Sequence, residues 1–238
     1  MVTPLPSASK QEIIYPDSDG QPISDNTKQF RWIVTIQGGL DALFQDDPNV
    51  FVAGDLLWYP VEGDNKIRIA PDAMVVFGRP KSDRGSYQQW REDNIPPQVV
   101  FEVLSPGNTL TEMAKKLAFY DRYRVEEYYL YDPDKVDLSG WLRSGERLEV
   151  IEPIAGWVSP RLGIRFDLGG EELQIYRPDG QRFATYVELA TAKEQEQREK
   201  ELAQARAEQA EAMLAAERQR VQELLARLRA TGIEPEEQ

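Results

Sequence analysis

Hydrophobic residues in the C-terminal part of the chain follow a seven-residue repeat. One position of the repeat is occupied by Ala207, Leu214, Val221 and Leu228, and the companion position by Ala203, Ala210, Glu217 and Leu224. Residues 190–230 contain neither glycine nor proline. Apolar residues at these two positions of successive heptads are typical of a coiled coil. We therefore predict a coiled-coil helix over 189–231 that joins two chains in a homodimer, followed by a tail over 232–238. A solvated helix packed on its own domain is the alternative.

The rest of the chain alternates between helical and strand patterns. Apolar positions with helical spacing follow the N-cap candidate Asn26 and predict a helix to about Phe44. Short apolar runs then predict strands over 50–59, 68–78, 99–104, 126–131 and 162–168, with a helix from 108 or 109 to about 124. A strand series with one crossover helix indicates an α/β domain with a mixed α+β sheet over 26–188. Residues 1–25, rich in Pro, Ser, Asp and Gly, predict an extended arm.

Composition narrows the chemistry that these elements can carry. The 238 residues include no histidine and no cysteine. There are 28 basic and 41 acidic residues, which gives a net charge of −13. Disulfides, zinc fingers, thiol nucleophiles and histidine-dependent triads are therefore excluded. The negative charge argues against a general nucleic-acid coat protein. It does not exclude an enzyme that meets nucleic acid through one local basic patch.

Segments that would direct the chain to a membrane are not evident in the sequence. No apolar stretch approaches the roughly 20 residues of a membrane span. The first ten residues, MVTPLPSASK, have no apolar signal core. We therefore expect a cytoplasmic protein without membrane partners.

Two carboxylates stand inside apolar strand patterns. Asp72 follows Pro71 in the apolar run 70–77, and Glu102 is flanked by apolar residues on both sides within 99–104. A carboxylate is costly to bury unless it is paired, hydrogen-bonded or bound to a metal. Because the two strands are expected to be neighbours, Asp72 and Glu102 predict a shared site, with ordinary strand polarity as the alternative.

Lys116 lies on the helix that is predicted directly after the Glu102 strand and can project toward the carboxylates. A surface salt bridge to Glu112, four residues earlier, is the competing interpretation. Two carboxylates and a lysine are the minimal equipment for Mg²⁺-assisted phosphodiester hydrolysis, because hard oxygens hold the ion and the ion acidifies water. The lysine can orient or deprotonate that water, or neutralise the phosphate.

Two longer segments carry a family resemblance. They are APDAMVVFGRPKSDRGSYQQW at 70–90 and PPQVVFEVLSPGNTLTEMAKKLAFYDRYRVEEYYLYDPD at 96–134. With them the chain resembles, over about residues 12–185, the Uma-two family of endonucleases in the PD-(D/E)XK restriction-endonuclease-like superfamily. The resemblance implies that Asp72 and Glu102 bind Mg²⁺ or Mn²⁺ and that Lys116 takes the place of the catalytic lysine. The superfamily's lysine usually follows the glutamate by two residues, where this chain has Leu104.

Further candidates surround this core. Asp55, in the first predicted strand, is expected beside Asp72 as an additional metal ligand or hydrogen-bond acceptor. Superfamily members often add a glutamate from the first helix. Here that helix offers only Asp41, near its end, and Glu12 precedes it, so this position is unfilled.

A polar, turn-rich loop over 79–96 follows the Asp72 strand. It combines cationic and aromatic side chains, namely Arg79, Lys81, Arg84, Tyr87 and Trp90. Such a combination can grip a phosphate backbone and stack on a base, so these cations are candidate nucleic-acid contacts. An ordinary polar surface loop is the alternative.

The leading hypothesis is a metal-dependent endonuclease that acts on nucleic acid, with DNA the expected substrate, and that is dimerised by its C-terminal helix. The rival hypothesis is a non-catalytic scaffold or partner-binding protein with a nuclease-like fold. A shift in thermal stability with millimolar Mg²⁺ or Mn²⁺ would distinguish the two, because ligands that bind the folded state stabilise it.

Overall fold

The computed structural model describes residues 13–18, 20 and 24–230. Its contacts divide the chain into two units, 1–185 and 186–238. Within the described residues, no helix combines the length and the apolar character needed to cross a membrane.

The first unit is a mixed α/β fold, as the sequence pattern predicts. In chain order its helices and strands are α1 (Thr27–Leu43), β1 (Val50–Ala53), β2 (Trp58–Tyr59), β3 (Ala73–Phe77), β4 (Tyr87–Gln88), β5 (Val99–Val103), α2 (Leu110–Arg122), β6 (Glu127–Asp132), β7 (Asp137–Ser144), β8 (Arg147–Val150), β9 (Arg165–Asp167) and β10 (Gln174–Tyr176). The main sheet has the order β1-β3-β5-β6-β7-β8. Only β5 and β6 run parallel in it, and the other neighbours are antiparallel. The strands β9 and β10 form a separate antiparallel pair, and β2 and β4 form a parallel pair.

Helix α1 packs on one face of the sheet. The side chain of Asn26 caps it by accepting a hydrogen bond from the Gln29 amide, at 2.9 Å. Its apolar stripe joins the first core cluster, which also contains residues of β5, β9 and β10. The helix runs unbroken through Gly38 and Gly39. A Cβ atom at Gly39 would lie 2.2 Å from the ring of Phe183, so glycine at this position lets that ring close on the helix.

Helix α2 packs on the opposite face, and this arrangement decides where Glu102 points. Side chains alternate along β5, so Val99, Phe101 and Val103 join the α1 core while Val100 joins the core that contains α2. Glu102 lies two residues after Val100 and therefore faces α2. The strand pattern thus places one buried carboxylate beneath the crossover helix.

Several strands are shorter than the apolar runs predict. The run over 50–59 is divided into β1 and β2, with Asp55 between them at a positive φ of 49°. The loop over 79–96 contains β4 and a 3₁₀ turn, Gln89–Arg91. Tyr87 is fully buried there, and its hydroxyl donates to the Ile95 carbonyl at 2.7 Å. A buried tyrosine explains why this polar segment is ordered.

The second unit is the helix α3 (Tyr186–Ala230), and none of its residues is buried. Leu214, Val221, Leu224 and Leu228 of the predicted heptad rows all leave their side chains exposed. Side-chain pairs four residues apart, such as Lys200 with Glu196, line its polar surface. The helix is confirmed, whereas the coiled coil stays a prediction. The predicted arm over 1–25 falls largely, and the helix stop at Thr231–Gly232 and the tail wholly, outside the described residues.

Candidate active site

Glu102 is held at both oxygens by two side chains of α2. Lys116 Nζ donates to Glu102 Oε2 at 2.6 Å, and the Tyr120 hydroxyl donates to Oε1. Lys116 and Tyr120 are four residues apart and therefore share one face of the helix. The Glu102 side chain is only 2% exposed, and that of Lys116 is 27% exposed. The structure thus brings together the predicted glutamate and lysine, although 14 residues separate them in sequence.

The start of α2 is set by a capping box. Thr109 Oγ1 accepts from the Glu112 amide at 3.2 Å, and Glu112 Oε2 accepts from the Thr109 amide at 2.9 Å. Glu112 is therefore engaged at the helix terminus, and the ion pair of Lys116 is with Glu102. The alternative of a simple surface salt bridge between Glu112 and Lys116 does not describe the structure.

Asp72 lies directly before β3 and reaches the same point. Its Oδ2 accepts from the amide of Val103, the residue after Glu102, at 2.7 Å. The pKa of Asp72 lies well above its ordinary value, first because of burial and then because of the neighbouring Glu102 charge. The Lys116 charge and the Val103 hydrogen bond oppose this rise without cancelling it. Two carboxyl groups therefore share a space that favours a positive charge between them.

Lys116 supplies one such charge. Burial lowers its pKa, but the charges of Glu102 and Asp72 raise it by more, so the net pKa lies above the ordinary lysine value. Lys116 is consequently an ammonium at neutral pH. It acts as a hydrogen-bond donor and a positive charge rather than as a ready proton acceptor.

Asp72 and Lys116 line a cavity of about 1050 Å³, and Glu102 is buried beside it. Its lining is mostly polar and includes Asp25, Asn26, Gln29, Asp55, Lys66, Arg68, Asp72, Asn108, Glu112 and Lys116. Asp55 thus shares the cavity with Asp72. In the described part of the chain, however, no three Asp or Glu side chains form a group that could hold a metal ion. The structure does not bring Asp55 into such a group, and its role as a ligand stays a prediction.

The carboxylates at the cavity and directly beside it nevertheless fit one kind of ion. Asp72 and Glu102 offer hard carboxylate oxygens, which suit Mg²⁺ or Mn²⁺. Mg²⁺ commonly keeps several waters and is held by only one or two carboxylates. Two protein carboxylates are therefore sufficient for such an ion.

Gln29 is a site residue that the sequence reasoning missed. It lies in the first turn of α1, is buried, and lines the cavity. Its Nε2 donates to the carbonyl of Val103 at 2.8 Å, next to Glu102. The first helix therefore contributes an amide at the site. A polar residue three positions before Trp32, on the buried face of the helix, was the available signal.

The cationic loop is not part of the cavity lining. Glu92 accepts from Arg79 Nε at 2.8 Å and from Arg84 Nε at 2.7 Å, and Lys81 pairs with Asp41 at 3.2 Å. The pairs with Glu92 lie within the loop, and the pair with Asp41 joins the loop to the end of α1. A role for Arg79, Lys81 and Arg84 in nucleic-acid contact stays a prediction.

Ser105 has the structural role that its position suggests. Its amide donates to Asn108 Oδ1 at 2.9 Å, and its hydroxyl accepts from the Gly107 amide and donates to Asp25. These bonds tighten the turn between β5 and α2. This turn sets the position of the capping box. The capping box starts α2, so the side chains of α2 are placed over Glu102.

Comparison with known proteins places this chain in a family. The family model described as "Uma2: Putative restriction endonuclease" matches residues 5–209, a span that contains Asp72, Glu102 and Lys116. No curated protein matches the chain. Among solved structures, a "putative nuclease belonging to DUF820" from Anabaena variabilis is 17% identical, with a TM-score of 0.46, over 60% of this chain and 79% of that chain. Since the family model covers most of the sequence, the chain belongs to the Uma2 family.

Proposed function

We propose that this protein is a metal-dependent endonuclease that hydrolyses phosphodiester bonds in DNA. Membership of the Uma2 family supports nuclease activity. The observation that carries the proposal is the meeting of Asp72, Glu102 and Lys116: Asp72 and Lys116 line one cavity, Glu102 is buried beside it in contact with Lys116, and two carboxyl groups are balanced by a single ammonium. Such an arrangement suits a divalent cation together with a phosphate.

Asp72 and Glu102 are the residues that would hold Mg²⁺ or Mn²⁺. A divalent ion at this position supplies an acidified water molecule and stabilises negative charge on the phosphate. Because the pKa of Asp72 is raised by burial and by Glu102, its carboxyl group retains a proton more readily than a free aspartate does. Cation binding by Asp72 is therefore coupled to release of that proton.

Lys116 positions the reacting groups in this proposal. Its raised pKa keeps Nζ protonated near neutral pH, so it serves poorly as a general base. As an ammonium, Lys116 can donate hydrogen bonds to the attacking water and to a phosphate oxygen. Tyr120 and Lys116 together hold Glu102 in place.

Conservative variants of the two carboxylates test the proposal. Asp72→Asn and Glu102→Gln should each lower Mg²⁺-dependent cleavage of a duplex by about two orders of magnitude or more, in line with the loss of a charged catalytic group. Arg91→Gln, an exposed change outside the cavity lining, is the control for purity and folding. Full cleavage by both carboxylate variants would refute the assignment.

Cation binding is tested separately by calorimetry. Mn²⁺ should bind the wild-type chain and not the Asp72→Ala, Glu102→Ala double variant. Absence of binding to either, with no thermal shift in millimolar Mg²⁺, would favour the rival scaffold function.

We further propose that the domain over 26–188 is catalytic and that the helix over 189–231 joins two chains as a coiled coil. The exposed heptad leucines of α3 support this division. Leu224→Glu should shift the chain from dimer to monomer in sedimentation velocity. Ala226→Glu adds the same charge outside the two apolar rows and should leave the dimer intact. Equal behaviour of the two variants would refute the dimer interface.

A further inference from the structure

A second groove, which we call the basic groove, adjoins the active-site cavity. It has a volume of about 440 Å³ and is lined by Lys66, Ile67, Arg68, Lys115, Ala118, Phe119, Arg122 and Tyr123. Lys66 and Arg68 line both the basic groove and the active-site cavity. The two spaces are therefore neighbours that share one wall.

Helix α2 forms the other wall with a face that the active site does not use. Lys115, Ala118 and Arg122 recur at the i, i+3 and i+7 spacing of a single helix face. Lys116 is rotated from Lys115 by about 100° and contacts Glu102 instead. One helix thus presents its predicted catalytic lysine to the cavity and two further cations to the basic groove.

The charge of the basic groove is uniform. Its lining contains four cationic side chains and no carboxylate. In the described residues, none of these four enters an ion pair, whereas Arg79, Lys81 and Arg84 all do. The hydrogen bonds of Arg68 are long and go to neutral oxygens, at 3.4 Å to the Tyr59 hydroxyl and 3.5 Å to the Asn65 carbonyl. Four clustered cations on a chain of net charge −13 favour a polyanionic ligand.

The floor of the basic groove packs against the core. Phe119 and Tyr123 are half-buried, and their rings contact Trp58, with centroids 5.5 and 6.2 Å away. The Trp58 side chain is fully buried. Packing against the core therefore fixes the position of the aromatic floor between the cations.

We propose that the basic groove binds the sugar–phosphate backbone of the DNA strand that enters the active site. Lys66, Arg68, Lys115 and Arg122 would contact its phosphates. The rise along the helix from Lys115 to Arg122 is about 10 Å, which matches the rise of about three base pairs along the axis of a duplex. This inference rests on the proposed nuclease function and adds the surface by which the substrate is held.

Binding measured without metal tests the groove independently of cleavage. A fluorescein-labelled 20-base-pair duplex and the matching single strand are titrated with the full chain in EDTA, at several KCl concentrations from 50 to 200 mM, and anisotropy is followed. Lys115→Gln with Arg122→Gln removes the helix side of the groove, and Lys66→Gln with Arg68→Gln removes the other side. The control, Arg91→Gln with Arg147→Gln, loses the same charge at exposed arginines that line neither space.

Each groove double variant should bind at least about tenfold more weakly at 100 mM KCl. For the duplex, its slope of log K against log[KCl] should be shallower by about 1.8, as expected for two lost phosphate contacts. The control should retain wild-type affinity and slope. Equal binding by groove and control variants overturns the inference, and so does an absence of wild-type binding to either probe.

The outcome also separates the groove from the proposed catalysis. If Asp72→Asn abolishes cleavage while groove and control variants bind DNA alike, the role of the basic groove in DNA binding is refuted and the nuclease function stands. If DNA binding depends on the basic groove but the wild type cleaves no substrate in Mg²⁺ or Mn²⁺, the nuclease function is refuted and DNA binding by the groove stands. Circular dichroism and thermal melts of each double variant confirm that the fold is retained.

Discussion

Replacing Lys116 with methionine tests the electrostatic reasoning about the site most directly. Methionine keeps an unbranched side chain of similar length and removes the charge. In the wild type, the ammonium contacts Glu102, which is 2% exposed, and its charge also opposes the raised pKa of Asp72. Lys116→Met therefore leaves two neighbouring carboxyl groups without their cation.

The expected cost follows from the burial of this pair. Removing one partner of a buried ion pair commonly destabilises a protein by about 3–5 kcal/mol. Because Lys116 is 27% exposed and partly screened by solvent, the lower end applies, about 3 kcal/mol at pH 8. In a domain of this size the corresponding decrease in Tm is roughly 10 °C.

The loss of unfolding free energy in Lys116→Met should increase with pH. The folded-state pKa of Asp72 is raised above the unfolded value of about 3.9. Its contribution to stability is therefore fully present below about pH 4 and is lost as pH rises through the folded pKa. Without Lys116 the folded pKa of Asp72 rises further, so the variant should lose more stability at pH 8 than at pH 5.

Urea denaturation followed by tryptophan fluorescence at both pH values measures these differences. Lys115→Met, at the adjacent exposed position, removes the same charge without touching Glu102 and serves as the control. An unfolding free energy for Lys116→Met within about 1 kcal/mol of this control at pH 8, or a deficit that is equal at the two pH values, would show that the reasoning is wrong.

Three other substitutions probe contacts around this core. Tyr120→Phe removes the hydroxyl that orients Glu102, and calorimetry should show Mn²⁺ affinity reduced by about tenfold; unchanged affinity would exclude a positioning role. Glu127→Ala removes a buried acceptor of three hydrogen bonds, and thermal denaturation should show a loss of about 3 kcal/mol; a loss below about 1 kcal/mol would contradict this. Glu92 has a pKa lowered mainly by its bond to Arg84, so its stabilising contribution is present at neutral pH and lost as pH falls through the folded pKa. Hydrogen exchange in 79–96 should therefore accelerate in Glu92→Ala at pH 7, and the acceleration should fade toward pH 3.

The elements that could be predicted from the sequence are those with a periodic pattern of apolar residues. Apolar alternation and helical spacing located β1, β3, β5 and β6 of the main sheet and both helices of the first unit, because burial of one face imposes those periods. Asp72 and Glu102 were also recognisable, since a carboxylate within an apolar strand is costly without a partner. The structure brings both together with Lys116.

Contacts between distant segments were less accessible. The partner of Lys116 was ambiguous because Glu112 lies at ordinary helical spacing, while the contact with Glu102 depends on how α2 crosses the sheet. The engagement of Arg79 and Arg84 by Glu92 likewise depends on a loop conformation that no periodicity encodes. The basic groove combines two sequence segments that carry no shared pattern.

The capping box of α2 has a consequence for how the lysine is specified along the chain. Thr109 and Lys116 are seven residues apart, which is close to two full helical turns, so the cap and the lysine lie on the same side of the helix. Helical phase, counted from the cap, therefore determines that Lys116 faces Glu102. A single insertion between Thr109 and Lys115 would rotate both lysines by about 100° relative to the cap, so that Lys115 would take the position from which Lys116 contacts Glu102.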